Sequence, residues 1–318
     1  MDHLPFPHGV KQPTVPLVGT LYDLPAGNFA RFPAQQGMKE DISTCSFVRL
    51  SPNAYQAFFQ TWLYFGCLSE ISNIIELPID IACFVRRISD QECIVTSASL
   101  NAYLDQWRNR ELDHHRSKKK TAGEQRRLNE ILETMGNMLR GPLQAFRRFL
   151  ADHHPSSPVT AAWPRVALSI AALGYSFDQA SNKIYGYFSE RGQRVWGVQW
   201  ALRERLRGAC WCKALISKFL AGESIDFALF ISSTPSPHAS EDHSQCTDTV
   251  CSGRMANTGT YKTAHVVKGC TCSMRDMPSP ATAIVERGGI PLATWSDGEG
   301  LKVVEYQPNI PYVAISHV

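Results

Sequence analysis

VALSIAALGYSFDQASNKI, residues 166 to 184, decides the fold class. Val166, Ile170, Leu173, Phe177, Ala180 and Ile184 recur in alternating steps of four and three. That spacing gathers them on one face of an α-helix, the pattern of a helix packed against other helices. Upstream, Leu128, Ile131, Met135, Met138 and Leu139 mark one face of a second helix. Gly141–Pro142 then breaks or kinks the chain before Phe146 and Leu150. Residues 99 to 112 are moderately periodic. Ser51–Pro52 makes a helix start, because Ser accepts from an orphan N–H and Pro at the first position loses no bond. Tyr55, Phe58, Trp62 and Phe65 follow as an aromatic stripe that reads as core. Val198, Leu202 and Leu206 open a further helix, expected to run past GACWCK toward Phe219.

The flanks differ. The first forty residues are rich in Pro and Gly without a period, and are expected to be an extended tail packing loosely on the body. A short strand is expected from Cys45 to Leu50. After Gly222 the chain turns Ser/Pro/His-rich and reads as loop. Ser279–Pro280 opens a short helix that Gly288 closes. IPLATW, LKVVEY and YVAISHV read as strands, with SDGEG as the first turn. The expected fold is mainly α. A helical domain (41–225) is followed by a small Cys/His module (226–280) and a short C-terminal β segment (281–318), making the whole α+β.

At 318 residues and 44% hydrophobic, the chain has ample material for a sizeable core. A net charge of +3 gives no global reason to expect nucleic acid or anionic membrane as a partner. MDHLPFPHGVKQPTVP places prolines where a secretory signal needs an apolar run. The most apolar stretch, residues 63 to 85, is interrupted by Glu70, Glu76, Pro78 and Asp80. A cytoplasmic protein is expected, with its ten cysteines mostly reduced.

A clustered subset of those cysteines points to metal. His243, Cys246, Cys251, His265, Cys270 and Cys272 fall close together. Thiolate and imidazole are the donors Zn²⁺ prefers, and four in a tetrahedron close a structural site. A loop-rich segment with little apolar content needs such a staple. The favoured set is Cys246, Cys251, Cys270 and either His265 or Cys272. Cys210 and Cys212 permit a second ion. In an unbroken helix those two point to nearly opposite sides, so sharing one ion requires a helix end between helix and loop. The competing reading is a loop of unliganded, reduced cysteines.

No P-loop, dinucleotide-binding or nucleophile-elbow motif is present in the sequence. His114–His115 and His153–His154 read as surface pairs, and Ser316–His317 has no third partner in view. Two alternatives remain. One is a zinc-dependent hydrolase using the cluster with Glu241 or Asp242. The other is nucleic-acid binding through the basic segment 108–127. No aromatics interleave with those basic residues, and Glu111, Asp113 and Glu124 dilute them.

PNIPYVAISHV resembles the opening strand of the fungal HET (heterokaryon incompatibility) domain. AYQAFFQTWLYFGCLSEI, LRERLRGACWCKALI, HSQCTDTVC, YKTAHVVKGCTC, GGIPLATW and GLKVVEY resemble, in order, segments that precede that domain in the family. The resemblance covers roughly residues 50 to 318. It implies a regulatory or interaction region with protein partners and a Cys/His block, in front of an effector of fungal non-self recognition and cell death. It also implies that the chain stops where the family motif continues with Trp, so no catalytic residue is carried over.

Overall fold

A computed structural model of the chain describes residues 1–10, 12–19, 28–38, 51–90, 92–113, 118–185, 194–221, 224–237, 239, 242–254, 269, 279–298 and 300–313. The protein is mainly helical and divides into two units, Met1–Met255 and Ala256–Val318.

In the first unit, Ser51 accepts the Ala54 N–H at 3.3 Å and Pro52 opens α1 (Pro52–Phe59), as the sequence predicts. The helix widens into a π-helical stretch, Gln60–Gly66, and continues as α2 (Cys67–Ile75). Every residue of the π stretch is buried, so the aromatic stripe becomes a fully enclosed rod. Its polar member, Gln60, is satisfied by backbone. Gln60 Oε1 accepts the N–H groups of Val18 and Gly19, each at 2.8 Å, and Nε2 donates to Pro16 O at 2.9 Å.

Those bonds overturn the loose tail. The segment 1–38 buries Leu4, Val15, Phe29 and Phe32 in the core. Trp62 Nε1 donates to Phe29 O at 2.8 Å. β1 (Val15–Pro16) joins a small antiparallel sheet with β2 (Val85–Arg87) and β3 (Cys93–Val95), in the order β1-β3-β2. The segment is mostly irregular: a two-residue strand, a helical turn over Phe29–Arg31 and a short helix over Phe32–Gln35 absorb part of its backbone groups, and the Gln60 amide takes others. The strand expected over Cys45–Leu50 lies outside the described residues.

The helices α3 (Leu100–Asp113), α4 (Lys118–Arg140), α5 (Pro142–His153) and α6 (Pro158–Tyr185) follow. α6 is the centre, packed on by α3, α4, α5 and the π stretch. Its residues 166 to 178 are buried all round. The stripe of six apolar positions underestimates this burial, because Ala and Ser on the other faces also allow close approach. Gly174 lies against the Trp196 ring, which occupies the space a Cβ would need.

The helix expected from Val198 to Phe219 is two helices, α7 (Gln199–Gly208) and α8 (Lys213–Leu220). α9 (Ile225–Ile231) packs on α6 and α7, so it belongs to the helical body rather than to a module starting at residue 226.

In the second unit, α10 (Ser279–Glu286) ends at Gly288, whose φ is +79°. The Gly289 N–H returns to Ile284 O at 2.8 Å, the closure the sequence predicts. β4 (Pro291–Ser296) and β5 (Gly300–Glu305) form an antiparallel hairpin beside α10. Tyr312 and Val313 are exposed and outside that ladder. The rest of YVAISHV lies outside the described residues. Among the described residues, no helix is long and apolar enough to cross a membrane.

Candidate metal centre

The corner between α7 and α8 builds the first half of the site. α7 closes with the Cys210 N–H bonded to Arg207 O and the Trp211 N–H to Leu206 O, both at 3.0 Å. Cys210 sits in the left-handed region at φ +62°, where glycine is usual. The chain then turns sharply. Cys210 faces solvent, while Cys212 becomes the N-cap residue of α8 and is buried. The Cys212 side chain makes no capping bond. The chain does have a helix end where sharing one ion by Cys210 and Cys212 requires it, but Cys210 is exposed and only Cys212 joins the group described below.

The second half is a loop pinned to this corner. The Ser236 N–H donates to Ala209 O at 2.9 Å, and Trp211 Nε1 donates to Thr234 O at 3.0 Å. Arg205 holds the hydroxyls of Ser232 and Ser233, each at 3.2 Å. Further on, Asp242 Oδ1 accepts the Ser244 N–H at 2.8 Å, and the Cys246 N–H closes a turn onto His243 O at 3.1 Å. A second turn, Thr247 to Val250, brings Cys251 back toward Cys246.

Four side chains converge: Cys212, His243, Cys246 and Cys251, whose donor atoms all lie within 4.8 Å of one another. His243 Nδ1 is 3.4 Å from Cys246 Sγ and 3.6 Å from Cys251 Sγ. A tetrahedral ion with Zn–S near 2.3 Å and Zn–N near 2.0 Å sets such N···S edges at about 3.5 Å. Trp211, Ala214, Leu215 and Phe219 pack around the group and lower its access to water.

Cys246 is prepared for charge. The Ser252 hydroxyl, 3.3 Å from its sulfur, holds its thiol down to about 6, against burial, with His243 and the N–H groups of Ser252 and Gly253 assisting. The Ser252 N–H reaches the same sulfur at 3.2 Å. Backbone N–H donors on a ligand sulfur orient it and stabilise its thiolate form. The group can therefore hold a metal ion. Three thiolates and one imidazole suit Zn²⁺ better than the hard cations, which prefer oxygen.

Of these four, Cys246 and Cys251 belong to the set the sequence favours, His243 stands among its six candidates, and Cys212 is placed only toward a second ion. Cys212 was hidden because its approach depends on a non-glycine residue adopting a left-handed turn. His265, Cys270 and Cys272 lie outside the described residues, as does Glu241. His153 stacks on Phe149 at 4.7 Å between ring centroids. The basic residues of 108–127 are partly neutralised: Arg108 pairs with Asp105, Arg110 with Glu111, and Arg127 with buried Glu70. Compared with models of protein families, with curated proteins and with solved structures, the chain matches none.

Proposed function

We propose that the chain is a non-catalytic regulatory and interaction region in which one structural Zn²⁺ clamps the α7–α8 corner to the loop carrying His243, Cys246 and Cys251. The observation that supports it is the donor set: four protein side chains converge with their donor atoms within 4.8 Å of one another. A set supplied wholly by the protein leaves no position for a reactive water, which separates a structural ion from a hydrolytic one. Asp242, the other carboxylate named for hydrolysis, spends one oxygen on the Ser244 N–H. Metal analysis of chain purified under reducing conditions tests the zinc. About one ion per chain is expected, since a structural site copurifies with its metal. Less than about half an equivalent overturns the proposal.

The wider setting we infer is a cytoplasmic protein of fungal non-self recognition, in which this region meets protein partners in front of a HET-type effector. The support is the ordered sequence resemblance that ends in PNIPYVAISHV. Expression of this chain alone in a filamentous fungus tests the non-catalytic role. Normal growth is expected, and a cell-death reaction from the chain alone refutes it.

A further inference from the structure

Three of the four donors, His243, Cys246 and Cys251, come from one short loop with little apolar content of its own. Such a loop keeps its donors in place only where polar groups beside them hold them. Its two turns close backbone onto backbone, Cys246 N–H onto His243 O and Thr247 N–H onto Val250 O, and neither fixes a ligand sulfur. Ser252 does. It follows Cys251 directly in the chain. Its N–H donates to Cys246 Sγ at 3.2 Å, and its hydroxyl lies 3.3 Å from the same sulfur. The hydroxyl also donates to Asp242 O at 3.4 Å, the carbonyl of the residue before His243. One residue therefore grips one ligand and ties together the chain beside the other two.

The contacts have separable consequences. Two donors from one residue set the direction in which the Cys246 sulfur is held, and His243 Nδ1 stands 3.4 Å from that sulfur. The bond to Asp242 O draws the start of the loop onto its end, which keeps His243 Nδ1 and Cys251 Sγ at 3.6 Å. A serine hydroxyl has one proton for its two acceptors. A sulfur bound to an ion carries negative charge and is the stronger of them. Removing the hydroxyl leaves the N–H on the sulfur and takes away the second donor and the tie to Asp242. Ser252 is half-buried, so alanine fits there without opening a void in the core.

We propose that Ser252 is the positioning residue that sets how tightly the site holds its ion, acting through Cys246 and Asp242 without touching the metal. The inference rests on the structural-zinc reading. Groups bonded to metal ligands typically change affinity by about 10–100-fold when they are lost. The Ser252 hydroxyl belongs to that class. Thr249 supplies the comparison, because its exposed hydroxyl sits in the same loop and pairs with Thr247 Oγ1 at 3.3 Å rather than with a ligand.

The full chain, stripped of metal under reducing conditions, is titrated with Co²⁺ and then with Zn²⁺ against a chromophoric chelator. The parent should bind one Co²⁺ with a sulfur-to-cobalt charge-transfer band. A parent that binds neither ion refutes the zinc reading, and this proposal with it. Against a parent that binds, Ser252→Ala should weaken Zn²⁺ by at least about tenfold. Its charge-transfer band should move to lower energy, because a sulfur relieved of a donor gives up its electrons more readily. Ser252→Thr keeps the hydroxyl and should restore both affinity and band, while Thr249→Ala should change neither. The direction of the band shift reports the Cys246 sulfur itself, which a mere loosening of the loop does not move in that sense. Parent-like affinity and band in Ser252→Ala, or an equal loss in Thr249→Ala, overturns the proposal and leaves the zinc reading standing.

Discussion

Gly174→Ala should destabilise the first unit, although it places the best helix former in the middle of the longest helix. A Cβ at residue 174 would lie 2.4 Å from Trp196 Cη2 and Cζ3, and 3.2 Å from Met135 Cε. Carbon atoms rest at about 3.5–4.0 Å, so the indole would have to retreat by more than about 1 Å. It has little room to do so. The next residue, Gly197, has a φ of +68° and already sits where a Cβ would come within 2.6 Å of Arg140 Cγ. Overpacking of this kind costs about 1–3 kcal/mol. Replacing glycine inside a helix returns up to about 1 kcal/mol. With the full return counted, the net loss centres on about 1 kcal/mol, or roughly 2–4 °C in Tm for a unit of this size. Gly123→Ala in α4 is the control, because a Cβ there meets nothing within 4 Å. It should stabilise by about 0.5–1 kcal/mol. Thermal and urea melts of both variants give the two signs. A third melt in a Trp196→Ala background should turn Gly174→Ala from destabilising to stabilising, since the ring it strikes is gone. If Gly174→Ala equals the parent in stability with Trp196 intact, the packing of that ring against α6 is wrong.

Other outcomes follow from the metal corner and the buried histidine. Cys212→Ser and Cys246→Ser should each abolish stoichiometric zinc and lower thermal stability, whereas Cys210→Ser should leave metal content unchanged, as atomic emission would show. Cys210→Gly should stabilise by about 1 kcal/mol in a denaturant melt, because it removes a side chain from a left-handed backbone at φ +62°. His3 is buried with its ring nitrogens bonded to Ser97 and Ser176, and burial pushes it down to about 3 from an ordinary 6.5. The unfolded chain therefore binds the extra proton between those two values. The stabilisation is complete above about pH 6.5 and is lost as pH falls toward 3, by at most about 1.4 kcal/mol per pH unit. His3→Asn should flatten that part of a stability–pH profile, and an unchanged slope would count against a neutral buried ring.

The readable parts of this molecule obey local rules. The stripe of α6, the Ser51 cap and the Gly288 closure each depend on residues within a turn or two of one another, so sequence spacing suffices. The N-terminal segment escaped because Leu4, Val15, Phe29 and Phe32 follow no sustained period, and because the backbone groups of Pro16, Val18 and Gly19 are satisfied by the distant Gln60. The break at Cys210 escaped because its left-handed turn carries no glycine. With the break went Cys212, whose partners lie beyond α9 in sequence. Cys246 and Cys251 were legible as favoured ligands, and His243 as a candidate, because they fall close together in the sequence.

That division among the ligands bears on how the site assembles. His243, Cys246 and Cys251 come from one short loop whose turns close on themselves, while Cys212 belongs to a helix end made earlier in the chain. During synthesis the helix end emerges first and its thiol waits. The loop follows after α1 to α9 have been made, and on the proposed zinc reading its three donors are enough to take an ion before Cys212 joins. Capture of Cys212 is then the step that commits, drawing α8 and the loop into one ring of chain. On the proposed zinc reading, metal supply at that moment sets whether the corner is locked or left open to its exposed neighbour, Cys210.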